Sequence, residues 1–311
     1  MVAWDAAQYL VFERERTQPA IDLARRIAGR RVARAVDVGC GPGNSTAVLA
    51  AAFPDAEVLG VDSSPEMLDA ARSAHPELSF AHADAAGGLA ELAGSFDVVF
   101  SNACLQWVPD HPALLARLMG KVSPGGVLAV QVPADYDAPA HRIIREVVAR
   151  PAWRGAFPHP RVLHTLAPEE YFDVLSRIAT DFSLWQTSYY HRLPSHEAVL
   201  AWYRGAGLRP YLEALKERDR ARFEADVLAE VEKSCPVREN GEVMLRFPRW
   251  FFVAEAGAIC ADSRSRIFAP ASGAGAVRRR ESSFGERVRR ADLASARKGA
   301  ARRARTLGAR G

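Results

Sequence analysis

At 311 residues, 49% hydrophobic and 25% charged, the chain can bury one large core and a smaller added layer, so one elaborated α/β domain fits better than two equal ones. No apolar run approaches the roughly 20 residues of a bilayer span, no basic-then-apolar leader opens the chain, and Cys40, Cys104, Cys235 and Cys260 form no CxxC pair, so a reducing cytoplasm is expected and neither a membrane partner nor a metal site. The formal charge of +4 hides an asymmetry: residues 258–311 carry 14 Lys or Arg against 4 Asp or Glu, which leaves the first 257 residues at −6.

Residues 1–30 place Tyr9, Leu10, Phe12, Ile21, Leu23 and Ile27 at helical spacing, with a break expected near Pro19. A strand follows over 34–39, then a helix over 44–53. A second short apolar run at 57–61 closes on Asp62-Ser63-Ser64-Pro65, which supplies an N-cap and a first-turn proline for a helix to residue 74. Strands are expected over 78–82 and 96–100. A helix over 112–122, ended by Ser123-Pro124-Gly125-Gly126, leads to a fifth strand at 127–132. Strands alternating with helices of this length predict a doubly wound, mostly parallel sheet.

Past Pro133 the alternation loosens, with helices expected at 139–149, 168–178, 195–204 and 210–233. Long strands at 182–193 and 242–254 enclose about 50 residues, which predicts a helical insertion over about 194–240 lying on the ligand-binding edge of the sheet. The body is taken as residues 1–257, with a cap helix in 1–30. Beyond it Ala, Arg, Gly and Ser dominate, and burial cannot offset ordering entropy, so 258–311 is expected to be a disordered basic tail. Only Phe268 and Phe284 interleave with its arginines, and a dispensable tail is favoured over a nucleic-acid arm.

The most informative stretch is Asp37-Val38-Gly39-Cys40-Gly41-Pro42-Gly43-Asn44-Ser45-Thr46. Three glycines at alternate positions let backbone N–H groups approach a ligand closely. The spacing differs from the dinucleotide pattern G-x-G-x-x-G, and Asp37 stands directly before the turn. A carboxylate there repels a pyrophosphate but suits the ammonium and sulfonium of S-adenosylmethionine. Ligands of open α/β sheets bind outside the carboxyl ends of the strands, and the next three strand ends carry Asp62 for ribose hydroxyls, Asp84 for an adenine amino group, and Asn102, followed by Trp107. Taken singly, Asp62 is as often a helix N-cap, Asp84 a solvated loop acid and Trp107 a core side chain. Four polar strand ends in a row form the signal.

With these residues the chain resembles the class I S-adenosylmethionine-dependent methyltransferases, and within them the enzymes that esterify trans-aconitate. The likeness runs from about Trp4 to Ala254. Besides the glycine loop it rests on Val61-Asp62-Ser63-Ser64-Pro65 with Met67, on Leu105-Gln106-Trp107 with Pro109-Asp110-His111, and on Gly126 to Gln131. The segments Tyr189-Tyr190-His191, Gly207-Leu208-Arg209-Pro210 and Phe247-Pro248-Arg249 carry the substrate assignment. The resemblance implies a seven-stranded Rossmann-like sheet and S-adenosylmethionine as cofactor, held by Tyr9, Asp37, Gly39, Gly41, Asn44, Asp62, Ser63, Met67, Asp84, Asn102, Gln106 and Trp107. It also implies a small tricarboxylate substrate. Carboxylates are ionised at neutral pH, so no general base is expected and none of His111, His191 and His196 is cast as one. A body of charge −6 repels a trianion, so local cations must outweigh that field; Arg16, Arg209, and Arg246 or Arg249 are the candidates, with Tyr189 and His191 sharing one strand face. Tyr9 and Phe12 are expected to close the pocket.

Four other readings are open to the sequence. One is an enzyme that methylates a carrier-bound malonyl or other small carboxyl group, and one is a non-catalytic S-adenosylmethionine-binding module. A nucleic-acid methyltransferase is disfavoured because Asn102-Ala103-Cys104-Leu105 lacks the Asn-Pro-Pro-aromatic loop of base-amino methylation, and an NAD-dependent oxidoreductase is disfavoured by Asp37 and the glycine spacing.

Overall fold

A computed structural model describes residues 12–87, 89–134, 139–205 and 207–257. Apolar, β-branched segments form β1 (Arg34–Val38), β2 (Glu57–Asp62), β3 (Ser79–His82), β4 (Phe96–Asn102) and β5 (Val122–Pro133), and two 13-residue strands, β6 (Asp181–Leu193) and β7 (Val243–Glu255), complete one sheet. The order is β3-β2-β1-β4-β5-β7-β6, with β7 antiparallel to both neighbours and the first five strands parallel. Strand order reverses between β1 and β4, and the crevice for a ligand lies above that reversal. The sequence predicts this α/β, Rossmann-like architecture.

Both sheet faces are covered. On one, α1 (Glu13–Ile27) and α2 (Asn44–Ala52) bury Ala20, Leu23, Ile27 and Leu49 against Val98, Phe100, Ala129 and Phe251. On the other, α4 (His111–Met119) and α6 (Pro168–Ile178) bury Leu114, Leu118, Tyr171 and Leu175 against Val99, Leu128, Val130 and Phe252. Between β2 and β3 lies α3 (Pro65–Ala74), with Pro65 in its first turn and the Ser64 hydroxyl accepting from the Met67 N–H at 3.3 Å. A separate cluster joins α5 (Pro139–Val148), α7 (His196–Arg204), α8 (Arg209–Ala214) and α9 (Glu217–Ser234) through Ile143, Val147, Val199, Tyr203, Tyr211, Phe223 and Val227. The helical layer therefore takes in α5, which precedes the segment 194–240.

Three expected boundaries shift. Pro19 lies inside α1 rather than breaking it; the missing N–H costs one helical bond, and the buried stripe Ala20, Leu23, Ala24 and Ile27 offsets it. The helix expected over 112–122 stops at Met119, and Val122 already pairs with Phe96, so Ser123-Pro124-Gly125-Gly126 is an irregularity inside β5 and not a separator. The helix expected over 210–233 is two helices, because Leu215 is extended (ψ 146) and buries its side chain in the cap core.

Candidate active site

The β1–α2 turn builds the floor of the crevice. Asp37 is fully buried, and its Oδ2 accepts from Ser45 Oγ at 2.6 Å and Thr46 Oγ1 at 2.8 Å, which ties the strand end to the first turn of α2. Its Oδ1 is buried with no partner among the described residues. Burial pushes the Asp37 carboxyl up to about 6, against the opposing pull of those two hydroxyls. Gly39 and Gly41 both take positive φ, 72° and 53°, for different reasons. A Cβ on Gly39 would sit 2.1 Å from Cys104 Sγ, whereas a Cβ on Gly41 would meet nothing within 4 Å. Gly39 is needed for packing; Gly41 faces open space, and its N–H donates to Asp62 Oδ2 at 2.9 Å. Asn44, half-buried, opens α2 beside it.

The other strand ends stand around this floor. Asp62 ends β2, half-buried, and its Oδ1 also accepts from the Ser64 N–H at 2.9 Å, so the carboxylate is fixed while each oxygen keeps accepting capacity. Ser63 is exposed and Met67 half-buried at the start of α3. Asp84 is exposed and accepts from the Ala86 N–H at 2.9 Å, shaping the turn after β3. Asn102 ends β4 with its Oδ1 buried and unpartnered. Beyond it a 3-10 turn, Leu105–Trp107, carries Gln106, buried and donating from Nε2 to the Ala103 carbonyl at 2.7 Å, and Trp107, half-buried. This turn is pinned by His111, whose ring nitrogens lie 2.9 Å from the Leu105 carbonyl and 2.8 Å from the Tyr171 hydroxyl. Burial lowers the pKa of His111, consistent with a neutral structural imidazole.

A row of buried polar side chains continues from Asn102. Asn102 pairs with Gln131, Gln131 with Phe251, and Arg249 lies two residues from Phe251 on the same face, where α1 packs. Tyr189 and His191 share that face through their pairing with Phe247 and Leu245. Arg249 is only 6% exposed and donates from Nη1 to Gln131 Oε1 at 3.1 Å. His191 stacks on Trp202 at 4.6 Å, and its Nε2 is buried without a partner, as is Gln131 Nε2. Burial, aided by the Arg249 charge, brings the His191 pKa down to about 4, so the ring is neutral at pH 7. Tyr189 donates its hydroxyl to Asp22 Oδ2 at 2.7 Å.

The family model for a methyltransferase domain matches residues 35–126. A trans-aconitate 2-methyltransferase from Methylobacterium radiotolerans is 45% identical over 258 residues, covering 82% of this chain and 98% of the relative. One from Escherichia coli is 41% identical over 254 residues, again 82% and 98%. The chain belongs to the trans-aconitate 2-methyltransferase family. Among solved structures, YcgJ of Bacillus subtilis matches with TM-score 0.51 at 14% identity, over 77% of this chain and 99% of that one. BH2331 of Bacillus halodurans matches with TM-score 0.52 at 13% identity, over 76% and 99%. At those identities the two likenesses speak for the fold alone.

Membership in the trans-aconitate 2-methyltransferase family makes S-adenosylmethionine the cofactor. The residues present suit it: Gly41 has open space where a Cβ would stand, the Asp62 carboxylate is held in place by the Gly41 N–H, and the buried Asp37 Oδ1 has no partner among the described residues. Of the residues expected on the substrate side, Arg249, Tyr189 and His191 stand together in the polar row. Arg16 reaches the row through Trp202, which stacks on His191: it donates to the Trp202 carbonyl at 3.3 Å with its guanidinium over the Trp202 ring, where Gly205 leaves room. Arg209 pairs with Glu213 at 2.6 Å, and its charge reaches Glu66 at the start of α3. Arg246, offered with Arg249, sits three residues away on β7, which places it on the opposite face. Phe12 is buried against Trp202, ring centroids 5.1 Å apart, so it belongs to the cap core rather than closing the pocket. Tyr9 lies outside the described residues.

Sequence reasoning missed Gln131 and Arg161. Gln131 was visible as the polar residue near the end of β5, where the same search of strand ends finds it. Arg161 sits in a loop without periodicity, so only the fold brings it over Trp107, 3.8 Å from guanidinium carbon to ring centroid. Among the described residues no helix is long and apolar enough to cross a membrane, and no cluster of acids, cysteines and histidines is set to hold a metal.

Proposed function

We propose that the chain transfers the methyl group of S-adenosylmethionine to one carboxylate of trans-aconitate, giving a monomethyl ester and S-adenosylhomocysteine. The observation that carries this reading is the 45% identity spread over 98% of a relative of that name. S-adenosylmethionine supplies, when bound, a methyl group on a sulfonium centre. The chain's own residues bind and orient. Asp62 accepts hydrogen bonds from ribose hydroxyls. Asp37 Oδ1 offers negative charge to the cationic end of the donor, and Asn102, Gln106 and Trp107 wall the crevice beside it. Ser63, Met67 and Asp84 border the adenosine side.

On the substrate side Arg249 provides a buried cation, and His191, neutral at pH 7, provides a hydrogen-bonding ring nitrogen. The substrate carboxylate is ionised, so no side chain needs to remove a proton. Sulfonium and carboxylate lose charge as they react, so excluding water favours the reaction. Alignment supplies much of the acceleration, on the order of 7–11 kcal/mol at best. The cytoplasm is the compartment this reading takes, since Cys40, Cys104 and Cys235 are free.

The test is incubation of the full chain with methyl-labelled donor and trans-aconitate, with mass detection of a labelled monomethyl ester. Donor binding without ester formation overturns the substrate assignment. Arg249→Lys removes the planar fork from the polar row and is expected to raise the KM for trans-aconitate about tenfold. Affinity for S-adenosylhomocysteine should hold, and an unchanged KM removes Arg249 from the substrate site.

A further inference from the structure

A cleft beside Trp107 carries a feature that the reading above leaves unused. It is an open cleft of about 400 Å³, solvent at its mouth included, and its wall holds Trp107, His141, Arg145, Arg161 and Tyr211. Two arginines and a histidine stand in that wall, and no acid does. The cleft adjoins the polar row across one side chain. The His141 ring centroid lies 5.6 Å from that of Phe247, and the Arg249 guanidinium lies 4.5 Å from the same Phe247 centroid. Its other wall, Trp107, belongs to the turn that follows Asn102. The cleft thus has Trp107 in one wall and, through His141 and Phe247, neighbours the residue Arg249 of the polar row.

Arg161 is the unusual member. Its guanidinium lies 3.8 Å from the Trp107 centroid, and its backbone N–H donates to the Tyr211 hydroxyl at 3.1 Å. Glu213, whose charge it feels, is already paired with Arg209. Among the described residues no carboxylate lies within ion-pair distance of Arg161, and the Glu213 charge reaches it only from further off. Crowding by the surrounding side chains lowers its pKa, while the residue as a whole is exposed, so the cation is reachable from solvent. A guanidinium resting against an aromatic ring keeps its N–H edges directed sideways, and a carboxylate fits such a fork with two parallel hydrogen bonds.

Resting on the trans-aconitate reading, we propose that Arg161, held against Trp107, clamps a carboxylate of the substrate that does not receive the methyl group. Arg161 thereby selects polycarboxylates over substrates that lack that group. Trp107 is its positioning residue, fixing the guanidinium plane at the mouth of the cleft. Arg249 and Arg161 then stand on two sides of one substrate, which explains how a body of net charge −6 holds a trianion.

The test compares the full-length protein with Arg161→Ala and Arg161→Lys, on trans-aconitate and on an unsaturated dicarboxylate lacking one carboxylate. Arg161→Ala is expected to raise the KM for trans-aconitate on the order of 10- to 100-fold, as loss of a charge-assisted pair does. Arg161→Lys should recover part of that loss, and S-adenosylhomocysteine affinity should not move. The dicarboxylate should be a poor substrate of the unaltered protein and lose little more with Arg161→Ala. An equal penalty on both substrates, or no change in KM, overturns the clamp.

Calorimetric titration of trans-aconitate into the S-adenosylhomocysteine complex separates this proposal from the activity it rests on. Binding that Arg161→Ala abolishes, without ester formation by the unaltered protein, keeps the clamp and overturns the reaction. Binding that Arg161→Ala leaves intact overturns the clamp alone. No binding to the unaltered protein overturns both.

Discussion

Asp37 carries an energetic conflict at a single residue. Its Oδ2 takes two hydroxyl hydrogen bonds while Oδ1 is buried without a partner among the described residues, and burial raises its pKa from 3.8 to about 6. The sign of the linkage follows. Between about pH 4 and 6 the folded protein binds a proton that the unfolded chain has released, so stability falls as pH rises through that window and stays lower above it. Asp37→Asn keeps an acceptor for Ser45 and Thr46 and removes the charge. The ligand-free variant is expected to melt above the unaltered protein at pH 8, with the gap closing near pH 4, in thermal denaturation at each pH. A cation beside Oδ1 reverses the conflict, so affinity for S-adenosylmethionine should rise with pH through about 6 in the unaltered protein and not in Asp37→Asn. Equal slopes in the two proteins would remove Asp37 from the donor site. The residue type and its place before the turn were legible in the sequence. Its bonds to Ser45 and Thr46 were not, because they depend on how α2 docks on the strand end.

At the scale of elements, the glycine loop shows that one pattern serves two purposes. Gly39→Ala drives a Cβ to within 2.1 Å of Cys104 Sγ at φ 72°, and is expected to cost about 3 kcal/mol or more. Gly41→Ala meets nothing within 4 Å and pays only for its φ of 53°, about 1–2 kcal/mol. Gly41→Ala should therefore remain folded in a denaturant titration yet lose S-adenosylhomocysteine affinity at least tenfold, because its Cβ enters the ligand's space. Tight binding by Gly41→Ala would mean that the cofactor does not approach this turn. Strand alternation and the cap at Ser64 can be read locally, and they gave β1 to β4 and α3. The end of α4 and the split between α8 and α9 cannot. Val122 joins the sheet because Phe96 is its partner, and Leu215 turns inward because a cap core exists to receive it. Arg161 was hidden for the same reason, since its meaning comes from Trp107, some 50 residues earlier in the chain.

Over the whole molecule, charge divides the chain near residue 257, and the relatives are matched over 98% of their own length by 82% of this chain. Residues 258–311, outside the described set, carry +10 against −6 for the rest. A chain ending at Gly257 should keep its kcat and its affinity for S-adenosylhomocysteine, since no described site residue is lost. Its field changes, however. Without the tethered positive charge, the −6 body repels a trianionic substrate more strongly at long range. The KM for trans-aconitate is then expected to rise a few-fold at about 10 mM ionic strength, where the Debye length is about 30 Å, and to match the full chain near 0.15 M, where it is about 8 Å. Arg249 and Arg161 act at contact distance and are screened far less, so the two proteins should converge rather than both lose the substrate. A fall in kcat on truncation, or a KM difference that persists at high salt, would make the basic segment part of the enzyme rather than a passenger on it.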